Sequence, residues 1–479
     1  MSVQSFKKFY QLQLLTEEKI DQSRWNEYMS TEPSLKAAIE VLKKLESLGG
    51  EAYIVGGAVR DIVLGDKPHD IDIATNVPVD KISKVFKTHD IGQSRDFGIV
   101  TINHEGENFE VANFRTDGVY KDGRKPESVK IVLDFKTDAG RRDITINSMG
   151  IDKDGNIIDH FGGQEDIKNK VIRTVGNPND RLEEDRLRMM RIVRFSSKLG
   201  FDIDPKTKEA LKDFAPKIKD ISIERITDEL LKNASYGGEK FAKAIETLDE
   251  VGILKEILPE VTKLKEFEHT ETSHPEGGVW RHTLEALKTS GSKDPLVNLG
   301  ILLHDVGKAL TRSYNEKGIV QYLGHARDGA DLVQEIGKRL RLSTKQIEAL
   351  IFMVLNHMKI HDVLKMSNSK IAGLIRNENF DALIEVMKAD AGARGRMFKK
   401  EDINKIMDKI ADVKDKMKPT EWEQLKKLIN GRKIMEMLDL KPGPKVGEII
   451  NSALEWAVDN DVKDAEQIYS WIKENFKKE

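Results

Sequence analysis

The sequence predicts an α+β protein: a mixed α/β head near the N-terminus, followed by an all-α remainder. Three observations carry this expectation. Short β-branched runs separated by Gly, Asp and Asn fill residues 52 to about 175. From about 180 onward nearly every segment repeats its apolar residues at helical spacing. A length of 479 residues, at roughly 100–200 per domain, calls for about three domains rather than one core.

The elements follow in order. Residues 1–33 are polar with scattered aromatics and read as an N-terminal extension. Leu35, Ala38, Ile39, Leu42, Leu45 and Leu48 then mark an amphipathic helix that Gly49-Gly50 ends. A head over 34–175 takes in strands at Ala52–Val55, Ile71–Ala74, Gly98–Ile102, Phe109–Asn113, Val129–Leu133 and Gly155–Asp159. Helices are expected after Gly57 and over Pro78–Lys87. A helical neck (176–240), a helical body (241–398) and a lysine-rich helical tail (399–479) complete the chain. Breaks fall near Gly200, Gly237-Gly238, Gly324 and Pro442-Gly443-Pro444.

Composition removes some chemistry. Lysine and arginine total 78 against 81 aspartate and glutamate, a net of −3, which excludes a strongly basic histone-like binder but not local basic faces. The sequence has no cysteine, so disulfides, thiolate zinc sites, iron–sulfur clusters and a cysteine nucleophile are excluded. A reducing cytosol is compatible with that. No apolar run approaches the roughly 18 residues of a spanning helix, and the first residues lack a signal-peptide core. The expectation is a soluble, cytoplasmic chain with no membrane partner.

The first chemical cluster is Val55-Gly56-Gly57-Ala58-Val59-Arg60-Asp61, followed by His69-Asp70-Ile71-Asp72-Ile73. A strand running through Gly-Gly into a helix offers free backbone N–H groups and Arg60 to a phosphate. An ordinary strand-to-helix turn would use the same glycines. Asp70 and Asp72, two apart in an alternating strand, are expected to project from one face. Two adjacent carboxylates repel unless a cation sits between them, and Mg²⁺ shared with substrate phosphates is the common solution. Later come Arg141-Arg142-Asp143 and Glu184-Asp185-Arg186-Leu187-Arg188, with Arg191 and Arg194 beyond. On one helix Asp185 and Arg188 would be i,i+3 neighbours, and one aspartate cannot balance three arginines. Some of them are therefore expected to face a polyanion.

These motifs resemble class II template-independent nucleotidyltransferases, in particular the CCA-adding enzymes, with bacterial poly(A) polymerases as close relatives. The match runs from about 52 to 230 and includes Phe114-Arg115-Thr116-Asp117-Gly118, Phe161-Gly162-Gly163 and Ile221-Ser222 followed by Glu224-Arg225. The resemblance implies a polymerase-β-like head in which Asp70 and Asp72 hold the catalytic Mg²⁺ ions. It implies nucleotide contacts from Gly57, Arg60, Arg142, Asp143, Arg191 and Arg194, and base reading by Asp185 with Arg188. Segment 114–126 matches a flexible loop tied to addition of the final A. Glu110 is the candidate third carboxylate, with an exposed strand residue as the alternative reading. Base reading also follows from chemistry: cytosine and adenine both present an exocyclic amine beside an unprotonated ring nitrogen. A carboxylate and a guanidinium complement that edge and mismatch guanine and uracil.

A second constellation lies in the helical half: His282, His304-Asp305, His325, His357 and Asp390. An aspartate inside the apolar run ending Leu302-Leu303-His304-Asp305 needs a partner. A His/carboxylate set suits Mn, Fe, Ni, Zn or Mg and does not choose among them. This order resembles the HD-superfamily phosphohydrolases, with His282, His304, Asp305 and Asp390 as ligands and His325 and His357 as the additional histidines of two-metal members. The resemblance implies a phosphatase or 2′,3′-cyclic phosphodiesterase acting on RNA ends. His269, His274 and His361 read as structural or surface residues. The overall expectation is CCA addition to tRNA from CTP and ATP. Its rivals are a poly(A) polymerase, an enzyme adding only CC or only A, and an HD phosphohydrolase whose inactive head merely binds RNA.

Overall fold

A computed structural model describes residues 20–89, 94–117, 129–267, 278–394, 400–416, 425–460 and 462–476. Its first unit, residues 1–236 and 243–259, is built on a seven-stranded sheet. The strands of the head are Ala52–Val55 (β1), Asp72–Thr75 (β2), Lys87–His89 (β3), Ile99–His104 (β4) and Glu107–Asn113 (β5). Arg115–Asp117 (β6), Val129–Ile131 (β7), Gly150–Ile151 (β8) and Ile157–Ile158 (β9) follow. Sheet order is β3-β4-β5-β2-β1-β8-β9, with β6 and β7 forming a separate antiparallel pair. Only the β2–β5 pairing is parallel within the large sheet. Its register sets Asp72 opposite Glu110, while β1 sets Val55 opposite Asp72.

The expected helix over 34–48 forms as Pro33–Ser47, and its apolar stripe is fully buried through Leu35, Ile39, Leu42 and Leu45. The helix expected over Pro78–Lys87 stops at Val85, and Lys87–His89 pairs instead with β4 as the sheet edge. Phe114 belongs to the core, with its ring 6.0 Å from Tyr53 and 5.7 Å from Phe135. The segment read as a flexible loop from 114 therefore opens with a core residue and a strand, and 118–126 lie outside the described residues. Phe161-Gly162-Gly163 is structural: a Cβ on Gly163 would meet the Thr145 carbonyl oxygen at 2.5 Å. Beside it, Asp159 accepts the backbone N–H groups of Phe161, Gly162, Gly163 and Gln164.

The neck continues in the same unit with helices Pro178–Glu184, Arg188–Leu199, Pro205–Phe214 and Ile223–Ala234. Gly200, with φ 72°, ends the second of these in the left-handed conformation that glycine accepts without strain. Residues 243–259 group with the head and neck, whereas the sequence reading placed them in the body.

The second unit is residues 237–242 and 260–479. Its helices Val279–Thr289, Pro295–Leu303, His325–Arg339, Thr344–His361 and Phe380–Ala393 pack around a continuous apolar core. A short hairpin, Arg312–Tyr314 with Val320–Tyr322, interrupts this helical region and was not expected. The tail gathers its own core from Ile434, Leu454, Ile468 and Ile472, with Trp456 and Trp471 stacked at 5.2 Å. Among the described residues no helix is long and apolar enough to cross a membrane.

Candidate functional site

A cleft of about 530 Å³ opens in the head. The sheet register builds its floor, because Asp72 and Glu110 are cross-strand neighbours and both line it. Asp72 is open to the cleft, yet the walls desolvate it and Glu110 and Asp70 repel its charge. Arg142 counters only in part, and the carboxyl is pushed up to about 6. Carboxylates in this state fit a divalent cation, which would relieve the repulsion.

Asp70 corrects the strand argument. The strand begins at Asp72, and Asp70 precedes it in a left-handed conformation with φ 48°. Strand alternation therefore does not place the two carboxylates on one face. A turn brings Asp70 close enough to act on Asp72.

Opposite the carboxylates, Gly56 carries φ 75° and caps the helix Gly57–Leu64. A Cβ there would sit 3.5 Å from Arg142 Nη1 and 3.8 Å from Asp72 Oδ2, at the point where both approach the turn. Arg60 is buried and donates to Asn147 Oδ1 at 2.7 Å. Arg142 donates to Asp138 Oδ2 at 3.2 Å, and its Nε is buried without a hydrogen-bond partner. Burial opposes ionisation of Asp138, but Arg141 and Arg142 hold its carboxyl below the usual range.

The arginines of the neck are balanced one by one, contrary to the sequence argument. Arg188 Nη1 donates to Glu184 Oε2 at 2.7 Å. Arg191 meets Asp143 Oδ2 through Nε at 2.8 Å and Nη2 at 2.7 Å. Burial works against the Asp143 carboxylate, but Arg191, Arg188 and the Ile144 N–H together outweigh it and the carboxyl falls to about 2. Arg194 donates to Glu229 Oε2 at 2.6 Å and to the Tyr236 hydroxyl at 3.1 Å. It is buried and is not among the residues lining the cleft, unlike the other residues expected to contact nucleotide. Asp185 and Arg188 do not share a helix either. Asp185 caps Pro178–Glu184, Arg188 starts the next helix, and Asp185 faces Arg225 Nη2 at 3.3 Å.

Both Asp185 and Arg188 nevertheless line the cleft, with Gly57, Arg60, Arg142, Asp143 and Arg191. The sequence reading gave no role to Asn147 or Phe195, which line it too, and placed Arg115, also a lining residue, in the loop segment 114–126. Phe195 organises the wall: the guanidinium carbons of Arg60, Arg191 and Arg194 lie 5.2, 5.6 and 4.4 Å from its ring. An aromatic embedded in an arginine run was the available signal.

In the body, six predicted residues converge. His282, His304 and Asp390 present ligand atoms within 4.8 Å of one another, as do Asp305, His325 and His357. All six are buried. Asp305 belongs to both neighbourhoods: Oδ2 lies 3.2 Å from His304 Nε2, and Oδ1 lies 3.5 and 3.8 Å from Nε2 of His325 and His357. The Nδ1 atoms of His304, His325 and His357 meet the carbonyls of Ile301, Tyr322 and Val354 at 2.7, 2.8 and 2.6 Å. That turns each Nε2 inward, and His304 Nε2 is buried with no hydrogen-bond partner. An orphaned imidazole nitrogen beside a carboxylate fits a divalent metal.

Gly307 explains how these segments meet. A Cβ there would lie 2.0 Å from the His325 carbonyl oxygen, so only glycine lets the His304-Asp305 turn touch the His325 helix. Burial lowers His357 to about 3 and also lowers His325, keeping both neutral. Burial opposes ionisation of Asp305 and Asp390. Neighbouring His304 and Lys308 hold the first well below the usual range, and hydrogen bonds from His282 and His361 do so for the second. Neutral imidazoles with ionised carboxylates form the state that binds a metal. His361, read from sequence as structural or surface, contacts Asp390 Oδ2 at 2.6 Å, and Arg394 donates to the same oxygen at 2.8 Å.

Comparison with known proteins agrees with this division. Family models match the poly A polymerase head domain over 52–173, a probable RNA and SrmB-binding site of polymerase A over 200–265, and an HD domain over 278–417. The CCA-adding enzyme of Geobacillus thermodenitrificans is 46% identical over 222 residues, covering 46% of this chain and 54% of that one. That of Geobacillus stearothermophilus is 44% identical over 222 residues with the same coverage. The match thus spans about half the length of these curated relatives. The crystal structure of the Bacillus stearothermophilus CCA-adding enzyme in complex with CTP superposes with a TM-score of 0.68 at 29% identity, covering 93% of this chain and 98% of that one. The chain has the architecture of the class II CCA-adding enzymes, with an HD domain in its body. A Thermotoga maritima CCA-adding enzyme complexed with tRNA shares the fold at a TM-score of 0.55 and 20% identity, over 96% of this chain and 97% of that one. Nucleotidyltransferase and HD domains both imply dependence on divalent metals.

Proposed function

We propose that this chain adds CCA to tRNA 3′ ends from CTP and ATP without a nucleic-acid template, in the cytoplasm. The observation that carries the reading is the cleft itself, where the Asp72–Glu110 pair faces the Gly56-Gly57 turn and an arginine wall. The CTP complex of the similar bacterial enzyme supports it. The tRNA 3′-oxygen bonds to the α-phosphorus, the α–β phosphoanhydride bond breaks, and pyrophosphate leaves. Mg²⁺ held by Asp70, Asp72 and Glu110 would activate the hydroxyl and offset the charge of the leaving group. The turn's backbone N–H groups and Arg142 bind the phosphates. Asp185 and Arg188 read the shared amine-and-ring-nitrogen edge of cytosine and adenine, exchanging part of their present contacts with Arg225 and Glu184 for the base.

The body is a second enzyme in this reading: a phosphatase or 2′,3′-cyclic phosphodiesterase. His282, His304 and Asp390, with Asp305, His325 and His357, would hold Mn, Fe, Ni, Zn or Mg. Such ions would supply a bound hydroxide and polarise the phosphoryl oxygens. Lys308 is placed beside Asp305, at 2.6 Å, to meet the phosphate charge.

A product ladder on tRNA lacking its 3′ end, with CTP and ATP singly and together, tests the head. Extension by CC with CTP alone and by CCA with both is expected. Long A-tails, arrest after CC, or addition of A only would each replace this reading with a different specificity. Loss of hydrolysis from the combined His304→Ala and Asp305→Ala variant tests the body, and unchanged hydrolysis would remove that claim.

A further inference from the structure

The hairpin Arg312–Tyr314 and Val320–Tyr322 takes no part in the reading so far. It joins the segment carrying Lys308 to the helix that starts at His325, so both of its ends lead directly into the metal-ligand cluster. Large apolar side chains left open in a group mark a binding surface more often than chance exposure does. Of the nine such residues among those described, four fall on this short stretch: Leu310, Tyr314, Ile319 and Leu323. Tyr314 is 59% exposed and Leu323 71%.

Cationic and aromatic groups connect the hairpin to the ligands. The Arg312 guanidinium carbon lies 5.6 Å from the Tyr314 ring and 5.8 Å from that of Phe267. Phe267 meets Tyr322 edge-on at 6.4 Å, and the Lys308 ammonium stands 5.7 Å from the Tyr322 ring. Lys308 in turn donates to Asp305. Five side chains thus run from an exposed tyrosine to the carboxylate shared by both ligand groups. A hairpin serving only to connect helices would need neither open aromatics nor an arginine set against two rings.

We infer that this hairpin is a base-stacking platform that makes the HD centre selective for a single-stranded RNA terminus. The terminal phosphate lies at Lys308, and the last bases stack outward along Tyr322, Arg312 and Tyr314. Every base has a π face, so such a platform binds RNA ends without reading sequence. A phosphate ester lacking bases gains nothing from it. The inference rests on the phosphohydrolase reading of the body and adds to it the surface that holds the terminal bases.

The test uses the full chain loaded with Mn²⁺ or Ni²⁺, and compares a diadenosine oligonucleotide ending in a 2′,3′-cyclic phosphate with glycerol 1,2-cyclic phosphate, which carries the same cyclic diester without a base. Wild type is expected to show a KM at least about tenfold lower for the oligonucleotide. Tyr314→Ala should collapse that ratio toward one, and Tyr314→Phe, which keeps the ring, should restore it. Equal KM values in wild type, or a ratio that survives Tyr314→Ala, would overturn the platform and leave the hydrolase reading standing. If wild type hydrolyses neither compound, the hydrolase reading falls instead. The platform is then judged by quenching of 2-aminopurine in the last nucleotide of a short RNA 3′-phosphate. Quenching that is weaker in Tyr314→Ala upholds the platform, and equal quenching removes it.

Discussion

The two candidate centres meet one need, holding cations next to phosphate, by opposite means. In the head the carboxylates stand in an open cleft on neighbouring strands, and desolvation, with repulsion from Glu110 and Asp70, pushes Asp72 up to about 6. In the body six ligands are buried, and neutral imidazoles share the work with two carboxylates held ionised. An open, oxygen-only site suits an ion that arrives with its substrate and leaves with its product. A buried nitrogen-rich site suits a resident ion that the fold itself retains. The contrast teaches that an open carboxylate cleft and a buried His/carboxylate cluster would hold a cation on different terms, the first exchanging it with substrate and the second retaining it.

The sharpest way to break this comparison is to separate the centres. Asp72→Ala is expected to cut nucleotide incorporation into tRNA by at least about 10³-fold. Hydrolysis by the body should persist in the same preparation, and loss of both activities would mean that the centres are not independent.

A second test concerns the arginine wall. Arg194→Ala removes the 2.6 Å partner of buried Glu229, leaves it only Lys232 at 3.5 Å, and is expected to cost about 3 kcal/mol in denaturant unfolding. Because Arg194 lies outside the cleft, the KM for CTP should hold. Replacing Arg194 and Glu229 together by methionine should recover most of the stability, since removing both charges removes the unpaired one. A selective rise in KM would return Arg194 to the nucleotide site.

The burial of the body's candidate ligands frames the third effect. His361→Ala removes one of two groups on Asp390 Oδ2, leaving Arg394 there, and should weaken metal retention by about tenfold, read as metal content after dialysis. Unchanged content would make His361 a bystander.

The smallest effects are in pH. The Asp143 carboxyl, at about 2 when folded, contributes stability above its ordinary range that is lost as pH falls from about 4 toward 2. That amounts to about 2 kcal/mol, visible as acid unfolding of the head. Asp72 runs the other way. Its raised value favours the protonated folded form, so protons compete with cations below about 6. Between pH 7 and pH 5 the apparent Mg²⁺ affinity of the head should fall by about tenfold. His357 stays neutral until about 3, so metal content of the body should hold over the same range. Parallel losses at both centres would erase the distinction.

Much of this was legible before any coordinates. The β-branched runs at Ala52–Val55 and Phe109–Asn113 became β1 and most of β5, and the glycine stops at Gly200 and Gly324 hold left-handed conformations. The six candidate ligands of the body, four named from residue type and order and His325 and His357 from the resemblance, fall into two buried groups of three. The failures have three different causes. Asp70 seemed to continue an alternating strand, but a local left-handed turn carries it. The arginines at 188, 191 and 194 seemed to lack partners. Glu184 was close at hand, but Asp143 and Glu229 lie 48 and 35 residues away along the chain. The strands Arg312–Tyr314 and Val320–Tyr322 are three residues each, too short to show a period of two inside a helical region.

The sequence by itself determined which chemistry is available: carboxylates and imidazoles without thiols, glycines where the backbone must turn, and helical or strand character wherever a run was long enough to show its period. Only the tertiary structure decided which groups face one another. Parallel β2–β5 register brings Glu110 to Asp72 across 38 residues of sequence, and the close approach at Gly307 brings His325 to Asp305. Residue type and backbone preference are local properties of a chain. Charge pairing, desolvation and metal-ligand distance depend on which distant segments pack together, and they arise only when the fold closes.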